Sequence, residues 1–252
     1  MRIGEPVVWL PTTTSTMDDV ARLAAEGAAE GLVVVADEQT AGRGRGGRSW
    51  IAPPGSSLLL SVLLRPPLPA ARLSTLPLVT GVAVAEAIED VAGASCRLKW
   101  PNDVLLGDRK IAGILVTTQP GPDNRTTAIV GIGINVSTPL DALPHGAASL
   151  LTETGSVLDR KALLDALLTR LDCHYSAFLE ASGRPDLAPW TTRAAYLGEM
   201  VEIRDDERRY TGWFRGVDAD GALVLEIGDN TVRRIVAGDL VRGPRPTPND
   251  HQ

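Results

Sequence analysis

The chain has 252 residues, 44% of them hydrophobic, which is enough to bury one large core with a smaller one beside it. Its net charge of −6 excludes an overall positive potential that would attract nucleic acid. The sequence has no signal-peptide pattern and no apolar run near roughly 20 residues, which excludes a membrane helix. Its two widely spaced cysteines exclude a disulfide framework and a structural zinc site, which favours a reducing, cytoplasmic environment.

The first 190 residues alternate predicted strands with predicted helices, which is typical of an α/β (α+β) domain. Strands are predicted over residues 7–11, 32–37, 56–65, 97–100, 104–118 and 126–136. Helices are predicted after the first strand and over residues 75–91 and 158–179. The first helix begins at Ser15 or Thr16 and ends before Gly27, and the fifth strand segment is a hairpin that turns at Gly107 and Asp108. A further turn is predicted over residues 120–124.

From residue 198 the pattern changes to short strands separated by the turn sequences DDER, DADG and GDN. Strands are predicted over residues 200–204, 210–217, 222–227 and 231–241. Their spacing predicts a small barrel of about 45 residues. We therefore expect a large domain over residues 1–190, a small one over 195–243 and a disordered tail over 244–252.

Lysine is rare in this chain. Of the 25 basic residues only Lys99, Lys110 and Lys161 are lysine, so a retained lysine indicates a local need for an amine. Lys161 lies in an amphipathic helical stretch, where we expect it to be solvated. Lys99 and Lys110 flank the sequence WPNDVLLGDR and are candidate functional residues.

The sequence TAGRGRGGRSW, residues 40–50, is called the Gly/Arg segment below. Its glycines fit the dinucleotide-binding pattern G-x-G-x-x-G, but that pattern requires a helix directly after it, and Pro53 and Pro54 exclude one. A nucleic-acid-binding tract is a weaker interpretation, because the segment is short and lies between two strands of an acidic protein. Alternating glycine and arginine favour a third interpretation, a loop that surrounds several anionic groups with guanidinium groups.

Three neighbouring motifs refine that interpretation. KWPNDV supplies an amine, an aromatic ring, an amide and a carboxylate within six residues. KIAGIL and GIGIN place glycines inside strands, where a ligand or another backbone can come close. Together the motifs predict a site for a nucleotide and a second anion. No nucleophile–base pair accompanies them, so we expect catalysis by positioning and charge.

The segments TSTMDD, DEQTAGRGRGGRSW, LKWPNDVLL, DRKIAGIL and GIGINV occur in an order that resembles the biotin–protein ligase family, over roughly residues 7–242. The resemblance is to a short form without an N-terminal DNA-binding domain. It implies a mixed-sheet catalytic domain of the class II aminoacyl-tRNA synthetase-like type and a C-terminal SH3-like β-barrel.

The resemblance also implies an activity. ATP, with Mg²⁺, activates biotin as biotinyl-5′-AMP, and the biotinyl group passes to a lysine of the biotin carboxyl carrier domain of an acyl-CoA carboxylase. We further expect no repressor function, no nucleic-acid or membrane partner, and a monomer or weak homodimer in the cytoplasm.

The matching motifs assign candidate site residues. Biotin contacts are implied for Ser15, Thr16, Gln39, Gly42, Arg43, Gly44, Arg45, Lys110 and Gly113. ATP contacts are implied for Arg48, Trp50, Lys99, Asn102, Asp103, Lys110 and Asn135. Lys110 and Arg45 are the candidate catalytic residues, and Asp103 is the candidate metal ligand.

The chain departs from the family pattern at Met17, where the family has asparagine, at Gly46, where some members have arginine, and at Thr117, where some have glutamate. Two alternatives stay open. A lipoate–protein ligase or octanoyltransferase would share the fold and accept another acid. A non-catalytic biotin-sensing or carrier-docking module would lack the chemistry, but both retained lysines argue against it.

Overall fold

The computed structural model describes residues 2–121, 126–205, 208–228 and 231–242. The predicted tail over residues 244–252 and most of the predicted turn over 120–124 lie outside this range. The helices and strands are, in chain order, β1 (Val7–Thr13), α1 (Thr16–Ala25), β2 (Val33–Gln39), β3 (Ser57–Leu64), α2 (Leu76–Ala92), β4 (Cys96–Lys99), β5 (Asp103–Leu106), β6 (Arg109–Pro120), β7 (Thr126–Asn135), α3 (Leu150–Thr154), α4 (Arg160–Glu180), α5 (Ala188–Thr192), β8 (Met200–Asp205), β9 (Arg208–Val217), β10 (Leu223–Ile227), β11 (Thr231–Ile235) and β12 (Asp239–Arg242).

The larger sheet has seven strands in the order β1-β2-β3-β7-β6-β5-β4. Strands β1 and β2 are parallel, and every other neighbouring pair is antiparallel, so the sheet is mixed as expected. Successive residues of β2 point to opposite faces. Val33 and Val35 join the core under α2 and α4, whereas Val34 joins the smaller core under α1. The sheet is thus covered on both faces, which fits the all-buried run of β3.

Helix α2 is the central element of the larger core. The segment Ala70–Ala92 is long and apolar enough to cross a membrane, so the expectation that no apolar run approaches that length is wrong. Its apolar character has another cause, because 72% of its most apolar window is buried inside the protein. The helix packs against both α4 and the sheet, and Gly93 ends it in the left-handed conformation with φ of 64°.

The smaller sheet contains β8 to β12 in the order β11-β10-β9-β8-β12, with antiparallel neighbours. The single strand predicted over residues 231–241 is wrong, since it is two strands at opposite edges of this sheet. The chain leaves the extended conformation between them, and Gly238 has φ of +133°. A side chain at this position would also lie 2.7 Å from Cγ2 of Ile203, so the break requires glycine.

The two sheets share one continuous core. Leu98 of β4 exchanges backbone hydrogen bonds of 2.8 Å with Arg193 and Ala195, which connect the two parts of the chain. Trp100, only 2% exposed, donates its indole N–H to the carbonyl of Gly221 at 3.0 Å. The smaller sheet is therefore held at a defined position relative to the larger one.

Two short helices were not predicted from the sequence. Helices α3 and α5 have five residues each, too few to produce a helical repeat of apolar residues. Helix α3 begins with a capping box formed by Ser149 and Thr152. Both cysteines are free, Cys96 buried and Cys173 exposed, as their spacing indicated.

Candidate active site

A cavity of about 660 Å³ lies where the start of α1, the Gly/Arg segment and strands β6 and β7 meet. The candidate site residues that line it are Ser15, Thr16, Gln39, Arg43, Gly44, Arg45, Arg48, Trp50, Asn102, Asp103, Lys110, Gly113 and Asn135. Segments far apart in sequence thus contribute to one cavity. Two candidates, Gly42 and Lys99, are not among the described residues that line it.

Four uncharged polar side chains of the lining, Ser15, Thr16, Gln39 and Ser61, are called the neutral end below. Gln39 Oε1 accepts hydrogen bonds from the backbone N–H of Thr16 at 2.8 Å and from its hydroxyl at 3.1 Å. The same hydroxyl lies 2.7 Å from Oγ of Ser61. Ser15 is the N-cap residue of α1, and its buried Oγ has no hydrogen-bond partner in the described part of the chain. A buried hydroxyl without a partner costs stability, so it is suited to a polar ligand group.

Ser61 was missed by the sequence analysis. It lies within the buried strand β3, whose other central residues are aliphatic, and that lone hydroxyl was the available signal. Met17 is 4% exposed and also lines the cavity. A Cβ at Gly131 would lie 2.8 Å from Sδ of Met17, so the thioether lies against the backbone of β7. The side chain of Met17 therefore adds an apolar group beside the neutral end.

Trp50 lies on a flat surface made by two glycines. Gly113 of β6 and Gly133 of β7 are partners in the sheet register. A Cβ would lie 2.9 Å from Trp50 Cζ3 at Gly113 and 2.6 Å from Trp50 Cε2 at Gly133, so the indole can lie here only because both positions are glycine. Lys110 Nζ lies 5.6 Å from the centre of the indole ring, within cation–π range.

Five charged side chains of the lining, Arg43, Arg45, Arg48, Asp103 and Lys110, are called the cationic end below. Lys110 Nζ lies 2.5 Å from Oδ1 of Asp103, and Lys99 Nζ lies 3.9 Å from Oδ2 of the same carboxylate. Lys99 therefore lies next to Asp103 without lining the cavity. Arg43 forms an ion pair of 2.6 Å with Asp18 in the first turn of α1. Asp18 was not among the candidate site residues.

The remaining two arginines of the Gly/Arg segment reach the smaller sheet. Arg45 and Arg48 both form ion pairs with Asp239, the first residue of β12. Burial raises the pKa of Asp239, but the two guanidinium groups outweigh burial and hold it below its usual value. Each cation of the cavity thus has a carboxylate partner within the chain.

Two amide side chains hold the cavity wall in place. Asn102 donates its amide N–H to the carbonyl of Ile114 at 2.7 Å, and Asn135 donates to the carbonyl of Ala148 at 3.0 Å. Their side-chain oxygens stay available as acceptors. Gly42 acts at the base of the Gly/Arg segment, where its carbonyl accepts the N–H of Trp50 at 2.9 Å.

A segment after β7 also lines the cavity and was not predicted. It contributes Asp141, Ala142, Leu143, Pro144 and Ala147. Backbone hydrogen bonds of 2.9 Å join Lys110 to Gly146 and to Ala148, and so fix this segment beside the lysine. Its only sequence signals were Pro139, Pro144 and Gly146, which indicate a loop without indicating its location.

The chemical capacity of the cavity follows from its two ends. The neutral end can hydrogen-bond an uncharged polar group, whereas the cationic end can hold more than one anion. Among the described residues, no group of three or more His, Cys, Asp or Glu side chains could hold a metal ion by itself. A divalent cation at this site would therefore depend on ligand oxygens as well as on protein.

Comparison with known proteins places this chain in a family. Residues 9–135 match the model of the Biotin/lipoate A/B protein ligase family, and residues 196–243 match the Biotin protein ligase C terminal domain. The chain is 37% identical to the biotin–[acetyl-CoA-carboxylase] ligase of Paracoccus denitrificans over 86% of this chain and 92% of that protein. It is 33% identical to the bifunctional ligase/repressor BirA of Bacillus spizizenii over 96% of this chain and 75% of that protein.

A solved structure agrees with these matches. The biotin protein ligase from Aquifex aeolicus in complex with biotin and ATP has a TM-score of 0.80 and 32% identity, covering 94% of this chain and 98% of that one. The likeness extends over both sheets. The chain belongs to the biotin protein ligase family.

Proposed function

We propose that this biotin ligase activates biotin with ATP as biotinyl-5′-AMP and transfers the biotinyl group to a lysine of a biotin carboxyl carrier domain. The observation that carries the proposal is the cavity, which joins an uncharged hydrogen-bonding end to an end with four cationic side chains along its wall. The Aquifex aeolicus structure, to which the chain is similar, holds biotin and ATP together.

The first step joins two anions. An oxygen of the biotin carboxylate attacks the α-phosphorus of ATP, the bond from that phosphorus to the bridging oxygen breaks, and pyrophosphate leaves. Lys110 is assigned to the α-phosphate, where negative charge builds, and Arg43 and Arg45 to the carboxylate. Cations fixed in a partly buried site stabilise that charge more than water does.

The neutral end is assigned to the biotin head group. Ser15 offers its free hydroxyl, and Thr16 and Gln39 form the hydrogen-bonded pair beside it. The Gly/Arg segment would close over the ligand, with Gly42 and Gly44 letting its backbone come near. Gly113 provides close backbone approach in β6, where Trp50 now lies.

The nucleotide is assigned to the cationic end. Arg48 and Lys99 would contact phosphates, and Asn102 and Asp103 would orient them. Trp50 would flank the adenine, and the free side-chain oxygen of Asn135 would accept a hydrogen bond from it. Shielding the adenylate from water would prevent its hydrolysis before the acceptor arrives.

The site also fits the Mg²⁺ that accompanies ATP. Asp103 presents a carboxylate that is 17% exposed, next to the assigned phosphate position. One carboxylate together with phosphate oxygens is a usual ligand set for Mg²⁺. When bound, the ion would neutralise phosphate charge.

In the second step, the ε-amine of the acceptor lysine attacks the carbonyl carbon of the adenylate. The carbon–oxygen bond to phosphate breaks, AMP leaves, and the new amide nitrogen loses a proton. His145 and His174 lie outside the cavity lining in the described structure, and His174 Nε2 lies 2.8 Å from Glu86. The proposed chemistry therefore rests on positioning and charge.

The proposal extends to the whole chain. Residues 1–190 form the catalytic domain, of the class II aminoacyl-tRNA synthetase-like type, and residues 195–243 form an SH3-like domain. We also propose a cytoplasmic monomer or weak homodimer that does not act as a repressor. Protection of biotin-operon DNA by this protein at moderate salt would contradict the last point.

Transfer is tested directly with a biotin carboxyl carrier domain. The carrier, biotin, ATP and Mg²⁺ are incubated with the enzyme, and mass spectrometry follows the carrier. We expect the mass of one biotinyl group on the wild-type carrier and no change on a carrier whose acceptor lysine is arginine. If the adenylate forms but the wild-type carrier stays unmodified, the proposal that the carrier lysine is the acceptor is wrong.

A further inference from the structure

The tip of the Gly/Arg segment, residues 45–48, is connected to the rest of the protein mainly by ion pairs. Gly46 and Gly47 have φ of 65° and 74°, and a Cβ at either would have no described atom within 4 Å. Arg48 Nε donates to the carbonyl of Arg45 at 2.9 Å, and the backbone N–H of Gly44 donates to the carbonyl of Arg48 at 2.7 Å. These bonds shape the tip but do not fix it to the rest of the protein.

The fixed contact lies in the smaller sheet. Arg45 Nη2 bonds to Oδ1 of Asp239 and donates to the carbonyl of Gly238 at 2.8 Å. Arg48 Nη2 donates to the same carboxylate oxygen at 3.1 Å. We call these contacts the Asp239 ion pairs. They join residues 194 and 191 positions apart in the sequence.

Asp239 has a fixed position and a negative charge, so it can hold the two arginines in place. It is paired with Arg204 in the register of β12 and β8, which fixes its backbone. Its pKa lies below its usual value despite burial, because of the two guanidinium groups, so it is ionised at neutral pH. Gly238 beside it has φ of +133° and no room for a Cβ against Ile203, and its carbonyl accepts a second hydrogen bond from Arg45.

Arg45 faces the smaller sheet and the cavity at the same time. Its side chain is 29% exposed, and it lines the cavity. Its Nε is buried and has no hydrogen-bond partner within the described structure, so one donor of the guanidinium is left for a ligand. The Asp239 ion pairs use Nη2 and leave that donor free.

We propose that Asp239 is a positioning residue that holds Arg45 and Arg48 where they retain the adenylate, so that the smaller sheet takes part in the reaction. This inference rests on the proposed function. Losing the Asp239 carboxylate would release the tip of the segment, and the adenylate would escape to solvent before transfer. The smaller sheet thus controls retention of the intermediate through a single side chain.

The first test needs no ligand. Trypsin cleaves after arginine, so cleavage within residues 43–48 of the ligand-free enzyme reports how firmly the tip is held. We expect Asp239→Asn and Asp239→Ala to speed this cleavage about tenfold, the effect of losing one charge-assisted hydrogen bond. Glu226→Gln is the matched control, since Glu226 pairs with Arg215 at 2.7 Å in the same sheet. Unchanged cleavage in both Asp239 variants would overturn the proposal.

The second test measures retention. Enzyme is loaded with biotin and ATP and desalted, and free and bound biotinyl-5′-AMP are then followed over time. We expect Asp239→Asn to release adenylate about tenfold faster, and Asp239→Glu, which keeps the charge, to stay within about twofold of the wild type. Faster cleavage with unchanged release would overturn the positioning role. If the wild type forms no adenylate, the proposed function fails, and the cleavage result still decides whether Asp239 holds the tip.

Discussion

The two ends of the cavity are built by different means. The neutral end is formed by hydrogen bonds between α1, β2 and β3, as in the contact of Thr16 with Gln39 and Ser61. The cationic end is formed by ion pairs that the Gly/Arg segment and Lys110 make with Asp18, Asp103 and Asp239. The first kind of contact is buried or half-buried, whereas the second involves side chains that are more exposed.

This difference indicates how the two substrates are recognised. At the neutral end the protein presents a preformed surface, so reorganising it on ligand binding costs little free energy. At the cationic end Arg43 and Lys110 are already paired with Asp18 and Asp103, so a ligand anion must replace those carboxylates. Binding there is an exchange of ionic partners, so it depends on ionic strength and on the position of the Gly/Arg segment.

The largest expected effect is at the cationic end. Lys110→Ala should lower the rate of ATP–pyrophosphate exchange about a hundredfold to a thousandfold, because the α-phosphate loses its fixed cation. Lys161→Ala is the matched control, since Lys161 is 73% exposed and pairs only with Asp165 among the described residues. Thermal unfolding of both variants shows that folding is intact. A near-normal rate for Lys110→Ala would remove its assigned role.

The next effect separates synthesis of the intermediate from its retention. Arg45→Gly should still form the adenylate but release it, so that lysines of unrelated proteins become biotinylated about tenfold more. Labelling of an added bystander protein is measured by mass spectrometry. Labelling equal to that of the wild type would show that Arg45 does not retain the intermediate.

The neutral end is probed by Thr16→Val. The substitution removes the hydroxyl that contacts Gln39 and Ser61, so we expect KM for biotin to rise about tenfold and KM for ATP to stay nearly constant. Thr12→Val, which loses an exposed bond to Glu38, is the control. If both KM values rose equally, the two ends would not act separately.

The smallest effect is that of salt. Raising ionic strength from about 0.1 M to about 1 M shortens the Debye length from about 10 Å to about 3 Å. KM for ATP should rise about threefold and KM for biotin less, because the head group of biotin binds at the neutral end. Equal salt dependence of the two values would contradict the exchange of ionic partners.

The sequence predicted most of the large sheet and every charged or amide side chain of the described cavity lining except Asp141, because the relevant signals are local. GIGIN and KIAGIL place Gly113 and Gly133 in strands, and the sheet register brings them side by side under Trp50. The strand predicted over residues 231–241 failed because a single glycine, Gly238, turns the chain to the other edge of the smaller sheet.

What the sequence did not reveal depends on contacts between distant segments. Asp239 lies 194 residues from Arg45, and no local pattern distinguishes it from any other aspartate at a strand start. The lining residues after β7 were likewise missed, since Pro139 and Gly146 predict a loop but not the cavity that the loop closes. Ser61 showed only as one hydroxyl in a buried strand.

ATP–pyrophosphate exchange by the purified enzyme with Mg²⁺, run in parallel with biotin, lipoate and octanoate, tests the central claim most directly. The account predicts exchange that depends on biotin and is absent with the other two acids. Exchange with lipoate or octanoate instead would keep the mechanism and contradict the assigned substrate. No exchange with any of the three acids, from folded protein, would contradict the account and leave a binding module.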